Sequence, residues 1–394
     1  MRDRFYSFFI VVSEYALYGL LFFIPISISL VEIFAVLMFI GFVGRKIIKP
    51  DFKFLKFWPN ALLLLFLFFS ALSLINSGQY FNKALHALFG KWAQYLSICF
   101  IAQDTIYDRK IIKRGMLVFL IGASLAVLSG LSQYFFGIEF LRNKSMIVAD
   151  CGVRAITSSF VHYNSFGAYL VVVLSLAIAL LLADNCYGLK AAGLLIFSMF
   201  STAAIILTFS RGSWLAFSVS GVSILILARK NLMRLIPIFL VIIGMFLVTT
   251  FHERLFLTFM AGGDADRFRY WATAFKMINE HPFFGVGLGT FMANFLKYLP
   301  GLPTRESYAH NCYLQIWAET GIFSLASFII FIISLSYLSI KKFLASKDFL
   351  LLGLLSGYIG FLVHSFFEVN LYSLQLAFLF WIWVGLIIRK VRIV

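Results

Sequence analysis

Four residues of this 394-residue chain combine a reactive side chain with an unusual setting: Arg154 in GVRAITSSFVHYN, Arg211 in TFSRGSWLAF, Arg267 in DRFRYWATAF and His310 in SYAHNCYLQIWAETG. Guanidinium groups are permanently charged and offer paired N–H donors to phosphate oxygens, so arginines that converge would bind a phosphate or pyrophosphate. Histidine is the side chain best suited to act as a general base near neutrality, which a hydroxyl nucleophile requires. Arg211 is the most informative of the four, because SRG lies between two long apolar runs and a charge there needs an anionic partner. Two readings of it stand side by side, an arginine snorkelling to lipid headgroups and a phosphate ligand.

Neighbouring residues support this grouping. Trp271 follows Arg267 by four residues and so shares its helix face, where an interfacial indole holds the guanidinium at headgroup depth; Arg269 points away from that face. Lys144 and Lys276 are further cations that could screen an anion. Asn311 flanks His310. Glu319 lies nine residues beyond His310, roughly 13 Å along a helix at 1.5 Å per residue, too far to be its direct partner, but its place inside an apolar span marks it as constrained. Asp264 and Asp266 form a DxD that could hold a divalent ion, although the reading adopted here contains no metal and no cofactor. GVGLG has no preceding strand and reads as a turn rather than a nucleotide loop. Cys99, Cys151, Cys186 and Cys312 lack ligand spacing, so neither a zinc site nor a disulfide scaffold is indicated, although Cys151 and Cys312 could face the same oxidising compartment.

The elements that must position these residues are membrane spans. With 62% hydrophobic and 13% charged residues, 48 of them Phe, the chain lies outside soluble composition. Polar clusters cut it into twelve apolar segments, at about 7–24, 26–44, 58–76, 88–104, 115–136, 164–184, 191–208, 213–228, 236–251, 312–340, 349–367 and 373–388. The expected fold is therefore all-α, a single polytopic membrane domain over residues 1–394. The first segment runs into the second across Pro25 without a cleavage site and reads as a retained span.

The net charge of +16 reports topology rather than nucleic-acid binding, because most Lys and Arg cluster in alternate loops. Both termini then lie on the cytoplasmic side. The remaining basic residues fall mostly in two outer loops, about 137–163 and 252–311. The second is long, and RFRYWATAFKMI spaces Phe268, Trp271, Phe275 and Met277 as an amphipathic helix along the membrane surface, stopped by Pro282 before TFMANFLKYL.

Three stretches, SRGSWLAF, RFRYWATAFKMINEHPFFGVGLGTF and AHNCYLQIWAETGIFSLASF, resemble the shared core of the O-antigen ligase and polymerase family, over about 195–340. GVRAITSSFVHYNSFGAYL is similar, less specifically, to that family's arginine-plus-asparagine segment. The resemblance implies a metal-independent, inverting transfer of glycan from undecaprenyl pyrophosphate to a sugar hydroxyl at the periplasmic face of the bacterial inner membrane. The acceptor is lipid A-core in a ligase and another lipid-linked repeat in a polymerase. It further implies that Arg211 and Arg267, with Arg154, cradle the pyrophosphate while His310 faces the acceptor. A protein O-oligosaccharyltransferase is the other enzyme reading. A secondary transporter is the reading from a different class, supported only by Glu14 and Glu32 in the first two segments, whereas related halves are absent.

Overall fold

The computed structural model describes residues 2–148, 152–229, 232–247, 256, 264–299 and 307–392. Cys151, most of the first part of the second outer loop and the side chains of Asp264 and Asp266 lie outside the described residues.

The chain is an all-α polytopic membrane protein, and the described residues of each of the twelve apolar segments fall mainly on helix. In order the described helices are α1 (Arg2–Phe23), α2 (Ile28–Ile48), α3 (Trp58–Leu72), α4 (Phe81–Ala87), α5 (Ala93–Thr105), α6 (Arg109–Phe136), α7 (Tyr163–Leu181), α8 (Gly188–Leu207), α9 (Arg211–Ala228), α10 (Ile236–Leu247), α11 (Asp264–Glu280), α12 (Phe291–Tyr298), α13 (Cys312–Ser346), α14 (Phe349–His364) and α15 (Leu374–Arg392). Among the described residues nine helices are long and apolar enough to cross a bilayer, rather than twelve. The other three expected spans differ for local reasons. α10 and α14 are short apolar helices among the described residues, and α4 and α5 are separated by a π turn over Leu88–Trp92.

Burial separates the central helices from the lipid-facing ones. The apolar window of α7 is 89% buried and that of α15 78%, whereas α1, α2, α3, α8, α9 and α13 are buried over only 28–33%. α7 is packed between α14 and α8, α14 also packs on α9, and α15 packs on α5. Phe8, Phe39, Phe68, Phe200 and Ile333 point outward from the peripheral helices. Exposed apolar side chains are stable there only in a hydrocarbon solvent.

The loops segregate to two ends. At one end Asp104 pairs with Arg45 at 3.0 Å and Lys46 at 2.6 Å, Lys390 pairs with Asp348, and Arg392 donates to the carbonyl of Lys53 at 3.1 Å. Arg2 donates to the carbonyl of Ile48 there, so residues 2 and 392 share that end. At the other end Gln375 reaches the Ile24 carbonyl at 2.8 Å, Ile156 N the Leu207 carbonyl at 3.3 Å and Cys312 N the Ser365 carbonyl at 2.9 Å. Arg154, Arg211, Arg267 and His310 all belong to this second end. A two-residue antiparallel ribbon, Ile147–Val148 with Arg154–Ala155, braces its first loop.

Candidate active site

α13 is kinked where Gly321 leaves helical geometry at φ 81° and ψ 176°. The GVGLG turn fills the gap: Val286 N donates to Ala318 O at 2.9 Å, Gly287 N to Glu319 O at 3.0 Å, and Ile322 N reaches Pro282 O at 3.0 Å. These bonds replace the helical ones lost at the kink, so few backbone groups go unpaired. Contact this close requires glycine on both sides. A Cβ on Gly285 (φ 65°) would run into the Glu319 backbone, and one on Gly321 into Phe283.

Glu319 completes the junction. Its oxygens accept from Gly289 N (2.9 Å), Phe291 N (3.1 Å), Tyr372 Oη (3.0 Å) and Gln315 Nε2 (3.4 Å). It therefore anchors the turn and the start of α12, and it does not touch His310. α11 and α12 pack on α13 through Ala274, Met277, Ile278, Phe291 and Phe295. The expected stripe splits here, since Met277 turns inward while Phe268 and Phe275 stay exposed.

His310 precedes α13 in the left-handed region at φ 47°, a conformation that costs a non-glycine residue energy and that persists where surrounding contacts enforce it. Those contacts are visible on both sides. Ala309 N donates to Gln315 Oε1 at 3.0 Å. Asn311 caps α13, its Oδ1 accepting from Tyr313 N at 2.9 Å and Leu314 N at 3.0 Å, a cap worth about 1 kcal/mol.

The imidazole is fixed by two further contacts. Its ring stacks on Tyr270 with centroids 5.6 Å apart, and Nδ1 lies 3.2 Å from Glu368 Oε2. A carboxylate only accepts, so Nδ1 carries the proton and Nε2 is the basic nitrogen of the neutral ring.

Glu368 is the hub of the site. Oε1 accepts from Asn164 Nδ2 at 2.5 Å and lies 3.4 Å from Arg267 Nη2, while Oε2 serves His310. Burial on its own would raise the pKa of this carboxyl. The His310 hydrogen bond and the charges of His310 and Arg267 outweigh burial and bring it down to about 2. The site thus holds a fixed negative charge between an arginine and a histidine.

Arg211 opens α9, with Ser210 as its cap accepting from Ser213 N at 3.3 Å. Phe209 just before it is left-handed at φ 51°. This turn abuts the one carrying Glu368: Gly212 packs against Phe367, and Ser213 Oγ lies 3.0 Å from Nε2 of the buried His364, whose Nδ1 meets Asn370 Nδ2 at 3.0 Å. Arg154 has an exposed side chain on the ribbon, two residues from the Ile156–Leu207 bond that ties its loop to the end of α8. Trp271 lies edge-on to Phe268 at 5.7 Å, and its Nε1 is buried without a hydrogen-bond partner among the described residues.

Glu368, Asn164, Tyr270 and His364 were not singled out by the sequence. The one available signal for Glu368 was an acidic residue between the last two apolar runs, facing the same end as Arg211. Glu14, by contrast, is engaged by Tyr18 at 2.7 Å and Arg114 at 3.8 Å, close to the Lys- and Arg-rich end.

No curated protein matches the chain. Residues 194–329 match the family described as O-Antigen ligase, a stretch that includes Arg211, Arg267, His310 and Glu319. Over that stretch the chain is similar to the O-antigen ligase family, the likeness that its SRG, RFRYW and AHN segments also carry.

Proposed function

We propose that the chain transfers a glycan from undecaprenyl pyrophosphate to a sugar hydroxyl of lipid A-core, at the periplasmic face of the bacterial inner membrane. The observation that carries this reading is the shared carboxylate of Glu368, which joins the candidate base His310 to the candidate phosphate ligand Arg267. His310 Nε2 accepts the acceptor proton as its oxygen attacks the anomeric carbon. The bond from that carbon to the pyrophosphate oxygen breaks, and the pyrophosphate leaves with the electron pair. Attack from the face opposite the leaving group inverts the anomeric centre.

Charge accumulates on the leaving group, and fixed guanidinium donors are the groups suited to meet it. Arg211 and Arg267 take that role, with Arg154 at the mouth. Trp271 lies one helical turn beyond Arg267 on α11, while Asn311 caps the helix that follows His310 and Glu319 holds the adjoining turn. The donor's activated bond between the anomeric carbon and the pyrophosphate supplies the driving force.

Deleting the encoding gene and examining the cell's lipopolysaccharide by gel electrophoresis tests the assignment. A ligase mutant loses all O-antigen from the core. Retention of a single repeat unit identifies a polymerase, and an unchanged ladder with loss of protein glycosylation identifies an oligosaccharyltransferase.

A further inference from the structure

Lys83 and Lys91 are out of place. Basic residues are kept from the translocated side of a membrane protein, yet these two lie at the end of the bundle that holds Arg211, outside both long loops. Among the described residues neither has an ion-pair partner. Both are exposed and line a cavity of about 180 Å³, together with His86. The π turn over Leu88–Trp92 accounts for part of this placement, since its wider coil lets Lys91 and Trp92 both face the cavity.

The opposite wall belongs to the candidate active site. Tyr308 precedes His310 by two residues, and Tyr372 follows Glu368 by four. The cavity also reaches Gly289 and Glu319, whose carboxylate is already bonded to Gly289 N, Phe291 N, Tyr372 Oη and Gln315 Nε2. One side of the pocket is therefore cationic, another presents a carboxylate and tyrosine hydroxyls, and the Trp92, Tyr308 and Tyr372 rings enclose the space. A plain anion would meet Glu319 unfavourably. A phosphorylated sugar suits both parts, its hydroxyls turned to Glu319 and the tyrosines, its phosphate turned to the two ammonium groups.

We propose that this cavity is an acceptor subsite, in which Lys83 and Lys91 hold the phosphate of a phosphorylated sugar while a neighbouring sugar presents its hydroxyl to His310. The step from Tyr308 to His310 spans at most about 7 Å of extended chain, so the pocket and the base are neighbours. This inference rests on the reading of His310 as the group that serves the acceptor.

Saturation-transfer NMR on the full-length protein in detergent, with glucose 6-phosphate and glucose as probes, tests the pocket without requiring turnover. Glucose 6-phosphate is expected to bind and glucose not. The Lys83→Ala/Lys91→Ala double variant should weaken the sugar phosphate by about 10- to 100-fold, the worth of one or two charge-assisted hydrogen bonds. Lys83→Arg/Lys91→Arg should retain it. Equal binding of both sugars, or binding indifferent to the alanine variant, overturns the subsite.

Glycan transfer is then compared on a core glycolipid and its phosphatase-treated form. The alanine variant should raise KM for the phosphorylated acceptor alone, with kcat held. Equal use of both acceptors by the wild type overturns the acceptor role. Sugar-phosphate binding that persists in a protein unable to transfer glycan at all would overturn the proposed reaction and leave the anion pocket standing.

Discussion

Glu368 Oε2 lies 3.2 Å from Nδ1 of His310, and this contact fixes which imidazole nitrogen can receive a proton. Replacing the carboxylate by an amide tests it. Glu368→Gln can donate to Nδ1 and so favour the tautomer with the proton on Nε2, which cannot act as a base. The variant should lose about 10² to 10⁴ in kcat, the range of general-base contributions, in a transfer assay with purified protein. Activity near wild type would mean that the tautomer does not matter.

The same carboxylate predicts a pH dependence of stability. Its pKa in the folded protein is depressed to about 2 from an ordinary value of 4.5. Its contribution is therefore full above about 4.5 and is lost as pH falls from there toward 2. The melting temperature of the wild type should exceed that of Glu368→Gln at pH 7, and the gap should narrow below about pH 4.5. A gap that is constant down to pH 3 would contradict the charge-based account.

Arg211→Lys should lose most activity although the charge is kept, because an ammonium does not reproduce a two-pronged contact with phosphate. Membrane accumulation and melting temperature should stay close to wild type. Full turnover in the lysine variant would identify Arg211 as a point charge or a snorkelling residue.

The junction between the GVGLG turn and the kink makes a structural prediction. Gly285→Ala places a Cβ against the Glu319 backbone at positive φ and should lower the melting temperature together with activity. Gly193→Ala, in α8 with open space around it, should leave stability unchanged or raise it by about 0.5–1 kcal/mol. Equal behaviour of the two variants would show that the junction is loose.

How much of this was legible beforehand depends on the range over which each feature is encoded. The spans are local, since each is a run of apolar residues, and the described part of each of the twelve runs is mainly helical. Among the described residues α10, α14 and the π-interrupted α4–α5 segment are shorter or less regular than the other spans, which composition does not register. Arg267 and His310 stood out by residue type and setting.

Glu368 did not, because its partners lie 58, 101 and 204 residues away and no spacing rule connects them. Glu319 was recognisable as constrained, yet its role in holding the glycine turn depends on a kink that only the folded chain reveals. Trp271 was placed beside Arg267 by helix periodicity, but its buried, unpartnered indole nitrogen is a tertiary fact.

The central claim is that His310 activates the acceptor while the arginines hold the donor, and the most direct test measures both in one variant. Purified His310→Ala should lose about 10² to 10⁴ in the rate of glycan transfer while binding the undecaprenyl pyrophosphate-linked donor as the wild type does. Unimpaired transfer would contradict the assignment of the base, and collapse of donor binding would place His310 with the pyrophosphate instead.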